Sequence, residues 1–295
     1  MRVFVTGATG FVGSAVVDDL IAAGHQVLGL TRSEEGAEAL AAAGAQAWRG
    51  SLEDLDSLRR GADQTDGVIH TAFNHDFSTY VANCEADRTV IEALGSVLIG
   101  SDRPLVVTSG TGMGGAPGRL VTEADPPASS RDVPRAASEE AAASLAAQGV
   151  NVSVMRLPQV HDTEKQGLVT FAIDLAREKG VSAYIGEGRN RWSAAHRFDT
   201  ARLYRLVLEK AEPGARYHAV AEEGVSMRDI AEAVGRRLGV PAASIAPEAA
   251  PGHFGWLAMF ATLDLPASSA LTRERLAWTP TGPGLVADLD GGAEA

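Results

Sequence analysis

The chain is short of the residues that would tie it to several common chemistries. Its 295 residues hold one cysteine, Cys84. That excludes an intrachain disulfide and any zinc or iron–sulfur site built from cysteines. A lone cysteine is expected as a small buried apolar side chain, and a reducing cytoplasm suits a chain without disulfides. The longest apolar stretch, near residues 254–263, is shorter than the roughly 18 residues of a membrane span. The opening residues carry no basic stretch followed by a long apolar one, so no signal peptide is expected. Positive charge is scarce: 26 Lys and Arg against 38 Asp and Glu give a net charge of −12. Gripping a nucleic-acid backbone needs clustered cations, so neither nucleic acid nor membrane is expected as a partner. The sequence contains no His-Glu-x-x-His segment and no glycine-flanked serine elbow, and no metal site is expected. No repeat of fixed period is visible.

What is present fits a globular α/β chain with a sizeable core: 45% of residues are apolar and 22% charged. Residues 2–6, 26–31, 45–49, 67–72 and 104–109 are expected as strands. Helices are expected between them over 11–23, 34–43, 55–60 and 80–99, with Gly24 and Gly44 closing the first two. This alternation reads as βαβ units forming a doubly wound parallel sheet, with a ligand crevice at the carboxyl ends of the strands. Residues 110–134 break the rhythm with Gly112, Gly114, Gly115, Pro117, Gly118, Pro126, Pro127 and Pro134. A loop this long is placed either to cover the crevice or to form a surface insertion. A helix over 135–148, ended by Gly149, and a strand over 151–157 restore the pattern. Further on, helices are expected over 168–179, 200–211, 227–238 and 251–263, and short strands over 181–185 and 216–219. The expected division is a nucleotide-binding core over 1–160 and a smaller substrate lobe over 161–295 that returns some elements to the core. No linker separates them, so one shared core is expected.

The segment from Thr6 to Gly13 lies between the first strand and first helix and carries Gly7, Gly10 and Gly13. Gly7 permits the tight turn, Gly10 leaves room for a pyrophosphate, and Gly13 lets the helix lie close to the sheet. The helix start supplies free N–H groups and partial positive charge to phosphates. Thr9, Gly10, Phe11, Val12 and Gly13 are therefore candidate dinucleotide contacts. At the end of the second strand, Thr31, Arg32 and Ser33 precede any acid; Glu34 is the first. An NAD site usually offers a carboxylate to the ribose there, whereas an arginine suits a 2′-phosphate. NADP(H) is the expected cofactor, with Arg32 and Ser33 at its phosphate.

These residues resemble the short-chain dehydrogenase/reductase superfamily in its extended and atypical branches, the NAD-dependent epimerase/dehydratase-like proteins. The Gly7, Gly10, Gly13 spacing carries the resemblance most specifically. Segments 68–72, 106–109, 156–161, 196–200 and 271–280 are similar to further family segments. The resemblance implies a Rossmann sheet of about seven strands. It places Thr71, Ala72, Phe73, Thr108, Pro158 and Val160 beside the cofactor, and Thr111, Gln159, Asn190, Trp192 and His196 toward a small-molecule substrate. It leaves a homodimer through the long helices flanking the fifth strand open. Two departures stand out. The third strand ends Gly50-Ser51-Leu52, where the family has an acid in the middle place. The family's catalytic tyrosine and the lysine four residues later are replaced by Arg135 and Glu139.

Arg135 cannot donate a proton at neutral pH. Glu139 can accept hydrogen bonds but cannot promote ionisation of a neighbouring acid. At i and i+4 the two are expected on one helix face, able to pair with each other. Ser109, at the end of the fifth strand, is expected to orient a carbonyl. His75 and His161 are candidate proton donors. Tyr80 is expected to start a helix and pack, and His70 to be a satisfied core histidine. Trp192 reads as a flat substrate wall or as core. The acidic tail at Asp288 and Asp290 is expected to be solvated. Three functions stay open: an NADP(H)-dependent oxidoreductase reducing a small carbonyl or activated double bond, a redox-neutral epimerase or lyase, and a nucleotide-sensing protein.

Overall fold

Val3, Phe4 and Val5 are fully buried, as a β-branched run covered by helices on both faces must be. The computed structural model describes residues 1–113 and 118–291. Its first half alternates β1 (Arg2–Thr6), α1 (Phe11–Ala22), β2 (Gln26–Thr31), α2 (Glu34–Ala42), β3 (Gln46–Arg49), α3 (Leu55–Asp63), β4 (Gly67–His70), α4 (Tyr80–Ser96), β5 (Leu105–Gly110), α5 (Ala137–Ala147) and β6 (Val152–Leu157). The remainder holds β7 (Gln159–His161), α6 (Leu168–Lys179), β8 (Ser182–Ile185), β9 (Arg191–His196), α7 (Arg197–Lys210), β10 (Arg216–His218), β11 (Glu222–Ser226) and α8 (Met227–Leu238). It ends with β12 (Ala242–Ile245), α9 (Ala250–Phe254), α10 (Ala258–Ala261), α11 (Ala270–Leu276) and α12 (Leu285–Gly291).

Seven strands form one parallel sheet in the order β10-β6-β5-β4-β1-β2-β3. The strand order reverses between β1 and β4, and that switch point opens a crevice at the carboxyl ends. Side chains alternate between two cores. Val3 and Val5 join Val16, Leu20, Tyr204 and Trp278 under α1 and α7. Phe4 points the other way, to Leu58, Ile91, Leu94 and Leu145 under α3, α4 and α5. After residue 161 the chain builds a three-stranded sheet, β11-β9-β7, and a pair, β12-β8. It also returns α7 and β10 to the large sheet. A third core, including Val169, Ile173, Trp192, Ile230, Leu285 and Leu289, packs the smaller sheets against α6, α8 and α12.

Several expectations need correction. The helix expected over 251–263 is broken, because Gly255 takes a left-handed φ of 55° between α9 and α10. The strands β7, β9, β11 and β12 were not expected. The acidic tail is not solvated at Asp288, which is 2% exposed within α12. Asp290 does face solvent, pairing with Arg236 at 3.0 Å. Gly114, Gly115 and Pro117 lie outside the described residues. The described part of the glycine- and proline-rich segment is fastened down. Val121 bridges to Ala267, the buried Glu123 accepts from Thr272 N at 2.7 Å, and Ser130 donates to Glu140 at 2.8 Å. Among the described residues, no helix is long and apolar enough to cross a membrane.

Candidate active site

The turn after β1 has the shape its glycines dictate. Gly7 takes a left-handed φ of 70°, and a Cβ there would meet Ala72 N at 2.7 Å. A Cβ on Gly13 would lie 2.0 Å from the Gly7 carbonyl oxygen, so α1 can approach the strand only without one. Gly10 differs: its Cβ would meet a single atom within 4 Å, Gly7 O at 3.1 Å. Its outer side is open. The helix begins there with no capping side chain and no acid in its first turn, so its first N–H groups are left for an anion. Thr9 and Gly10 are exposed, and Phe11 and Val12 are half-buried.

A cation that sequence reasoning did not single out stands beside this turn. Arg197 lies 4.9 Å over the Phe11 ring and donates to Ser14 Oγ at 3.2 Å and Asp162 at 2.9 Å. It opens α7, far along the chain, and only the tertiary fold brings it to α1. At the other end of the turn region, Arg32 is exposed just past β2. Ser33 caps α2, accepting from Gly36 N at 3.0 Å. Ser51, in the family's acidic place, bonds to Glu53 and holds that carboxyl below its ordinary pKa, with the Arg32 charge adding to the effect.

The carboxyl ends of β4 and β5 carry two buried charge networks. In the first, Asp87 accepts from Arg135 Nη1 at 2.8 Å, from His70 Nε2 at 2.9 Å and from Ser138 Oγ at 2.6 Å. His70 Nδ1 lies 2.6 Å from Thr6 Oγ1, as expected of a satisfied core histidine. Burial pushes the Asp87 carboxyl up, but Arg135, His70 and Ser138 outweigh it and bring it down to about 2. Arg135 also touches Ser138, donates to Thr108 O at 3.0 Å and stacks 4.2 Å over Phe73. In the second network, Ser109 donates to Glu139 Oε1 at 2.8 Å. Arg156 clasps both oxygens of Glu139, each at 2.8 Å. Arg135 and Glu139 therefore do not pair with each other. Buried partners on α4 and β6 outcompete an i,i+4 contact.

The histidine candidates separate. His75 lies at the mouth of the crevice, 5.2 Å from Phe73 and 6.3 Å from Phe77. Its pKa is lowered, first by desolvation and then by the Arg135 charge. His161 is fully buried, with Nδ1 2.7 Å from Asp288, so it does not reach the crevice as a proton donor. Trp192 is 1% exposed within the third core and offers no wall to a ligand. Gln159 caps α6 by accepting from Leu168 N at 2.8 Å. Asn190 donates to Ala261 O at 2.9 Å, and His196 caps α7. Thr111 Oγ1 and Ser193 Oγ are 3.2 Å apart. Pro158 is half-buried after β6, and Val160 is buried in β7.

Around the crevice mouth runs an aromatic cluster that no local pattern announces. Phe77 stacks on Trp256 at 4.4 Å and meets Phe171 at 6.0 Å and Phe260 at 5.9 Å. Tyr80 opens α4 beside it, 5.7 Å from Phe77.

The family model described as NAD dependent epimerase/dehydratase matches residues 3–221. The chain belongs to the NAD dependent epimerase/dehydratase family. It is 50% identical over 294 residues to an uncharacterized protein of Schizosaccharomyces pombe, covering 98% of each. It is 30% identical over 253 residues to the 2′-dehydrokanamycin reductase of Streptomyces kanamyceticus, covering 82% of this chain and 68% of that one. Its fold is similar to DesIV, a dTDP-glucose 4,6-dehydratase from Streptomyces venezuelae solved with NAD and TYD bound. The TM-score is 0.79 at 20% identity, over 99% of this chain and 96% of that one. Members of this epimerase/dehydratase family are NAD(P)-dependent oxidoreductases, epimerases and dehydratases. The uncapped start of α1 and the open side of Gly10 fit the pyrophosphate of such a nucleotide.

Proposed function

We propose that the protein is an NADP(H)-dependent oxidoreductase acting on a small carbonyl compound, its alcohol or an activated double bond. The observation that carries the proposal is the bare helix start at Gly10, open on one side and free of acid. Gly7, Thr9, Gly10, Phe11, Val12 and Gly13 hold the diphosphate, and Arg197 stands close enough to add positive charge. Arg32 and Ser33 grip the 2′-phosphate, since no carboxylate stands between Thr31 and Glu34 to take a bare ribose. Thr71, Ala72, Phe73, Thr108, Pro158 and Val160 form the bed for the rest of the cofactor. Bound nicotinamide supplies the hydride chemistry. This chain's own residues position the ligand: Ser109 meets its oxygen, Thr111 lies alongside, and His75 holds or releases a proton at the crevice mouth. Residues 1–160 serve the nucleotide and 161–295 the substrate, with β10 completing the large sheet.

Titration with NADPH and NADH, followed by a carbonyl panel read at 340 nm, tests the reading. Arg32→Ala should weaken NADPH at least tenfold, or about 1.4 kcal/mol, while NADH changes by less than twofold. An equal loss for both nucleotides overturns the cofactor assignment. A second reading, a nucleotide sensor without turnover, is favoured by one observation. Arg135 and Glu139 are both saturated by protein partners. Tight NADPH binding with no absorbance loss across the panel would select it.

A further inference from the structure

The contacts of the buried network around Ser109 assign a donor and an acceptor to each hydrogen bond in it. Ser268 O is a carbonyl and only accepts, so the His218 Nδ1 beside it, at 2.7 Å, carries hydrogen. Burial lowers the His218 pKa to about 4, so the ring is neutral at pH 7 and Nε2 has a lone pair. That lone pair faces Arg156 Nη1 at 3.3 Å. Arg156 is fully buried, always charged, and clasps both Glu139 oxygens. Arg216 adds a second cation 3.7 Å from Glu139. Both Glu139 oxygens accept from Arg156, a group that can only donate, so Glu139 faces Ser109 as an acceptor. The 2.8 Å contact between Ser109 Oγ and Glu139 Oε1 is therefore a bond that Ser109 donates.

A serine has one proton. We infer that Ser109, its proton committed to the Glu139–Arg156 pair, presents only lone pairs to the crevice and selects ligands with a hydrogen-bond donor, the hydroxyl of an alcohol before the oxygen of a carbonyl. The inference deepens the function proposed above and rests on its placing of the substrate beside Ser109. It differs from the expectation from the sequence, in which Ser109 orients a carbonyl. The opposite arrangement would leave a buried acceptor facing another acceptor, which costs about 1–3 kcal/mol.

The test uses two matched probes on protein saturated with NADP+. 1-Phenylethanol carries a donor where acetophenone has only an acceptor, and the two share the same phenyl ring. Dissociation constants are measured by titration under saturation-transfer NMR. The alcohol is expected to bind at least tenfold more tightly. Ser109→Ala should bring the two probes within twofold, and Ser109→Thr, which keeps the hydroxyl, should retain the preference. A ketone that binds as tightly as the alcohol, a preference that survives Ser109→Ala, or no binding of either probe overturns the inference. Neutron diffraction from the ligand-free protein supplies an independent arm. A deuteron on Ser109 Oγ directed at Glu139, with both carboxylate oxygens bare, is expected; a deuteron on Glu139 overturns it. That arm needs no nucleotide, so failure of NADP+ to bind would count against the proposed function alone.

Discussion

Asp87→Asn tests the buried charge network most sharply. Asp87 is 4% exposed and holds Arg135, His70 and Ser138 at once. Its carboxyl sits at about 2 in the folded protein against an ordinary 3.8. At about 1.36 kcal/mol per pKa unit, ionisation in the folded state contributes about 2 kcal/mol at pH 7. The asparagine loses that and also leaves Arg135, whose side chain is 11% exposed, without a counter-charge. Removing one partner of a buried pair costs about 3–5 kcal/mol, and the partial exposure of Arg135 places the expected loss near 3. The pH dependence has a definite sign. A depressed carboxyl pKa gives stability that is fully present above the unfolded value and fades as pH falls through the folded one. The gap between wild type and variant should therefore be constant from pH 7 to 5 and shrink between pH 4 and 2. Urea unfolding followed by circular dichroism at each pH measures it. A loss under 1 kcal/mol at pH 7, or a gap unchanged down to pH 2.5, would refute the reasoning.

Two further outcomes follow from buried groups away from the crevice. Cys84 is fully buried and burial raises its thiol to about 11, so a disulfide reagent at pH 8 should leave the folded protein unlabelled and react only in urea. Rapid labelling of native protein would contradict this. Asp288→Ala removes the acceptor from the fully buried His161 and should cost about 2–3 kcal/mol. A loss below 0.5 kcal/mol in the same urea assay would mean the terminal helix is loosely docked.

The large sheet was legible because its signals are local. β1 is a β-branched run, Gly24 and Gly44 end their helices, and the spacing of Gly7, Gly10 and Gly13 needs only eight residues of context. β9, read as Arg-Trp-Ser-Ala-Ala-His, has no such pattern; it becomes a strand by pairing with β7 and β11. Asp288 looked like part of a solvated tail because the partner that buries it, His161, lies 127 residues earlier. Arg135 and Glu139 looked like a helix-surface pair, worth only about 0.3–0.5 kcal/mol. Asp87 and Arg156 lie 48 and 17 residues away and take them instead. The same distance hid Arg197 and the Phe77–Trp256 stack. Site chemistry here is made by long-range contacts, and local periodicity carries no record of them.

The most direct measurement compares NADPH binding by wild type and Gly10→Ala in calorimetry, with thermal unfolding of the same samples. Gly10 has an extended backbone, φ −81° and ψ 173°, which any residue adopts. An added methyl meets only Gly7 O, at 3.1 Å, so folding stability should fall by less than about 1 kcal/mol. The methyl instead occupies the diphosphate's approach, and NADPH affinity should drop at least tenfold. Equal affinity in both proteins, or no heat from NADPH with wild type, would contradict the claim that this turn holds a dinucleotide.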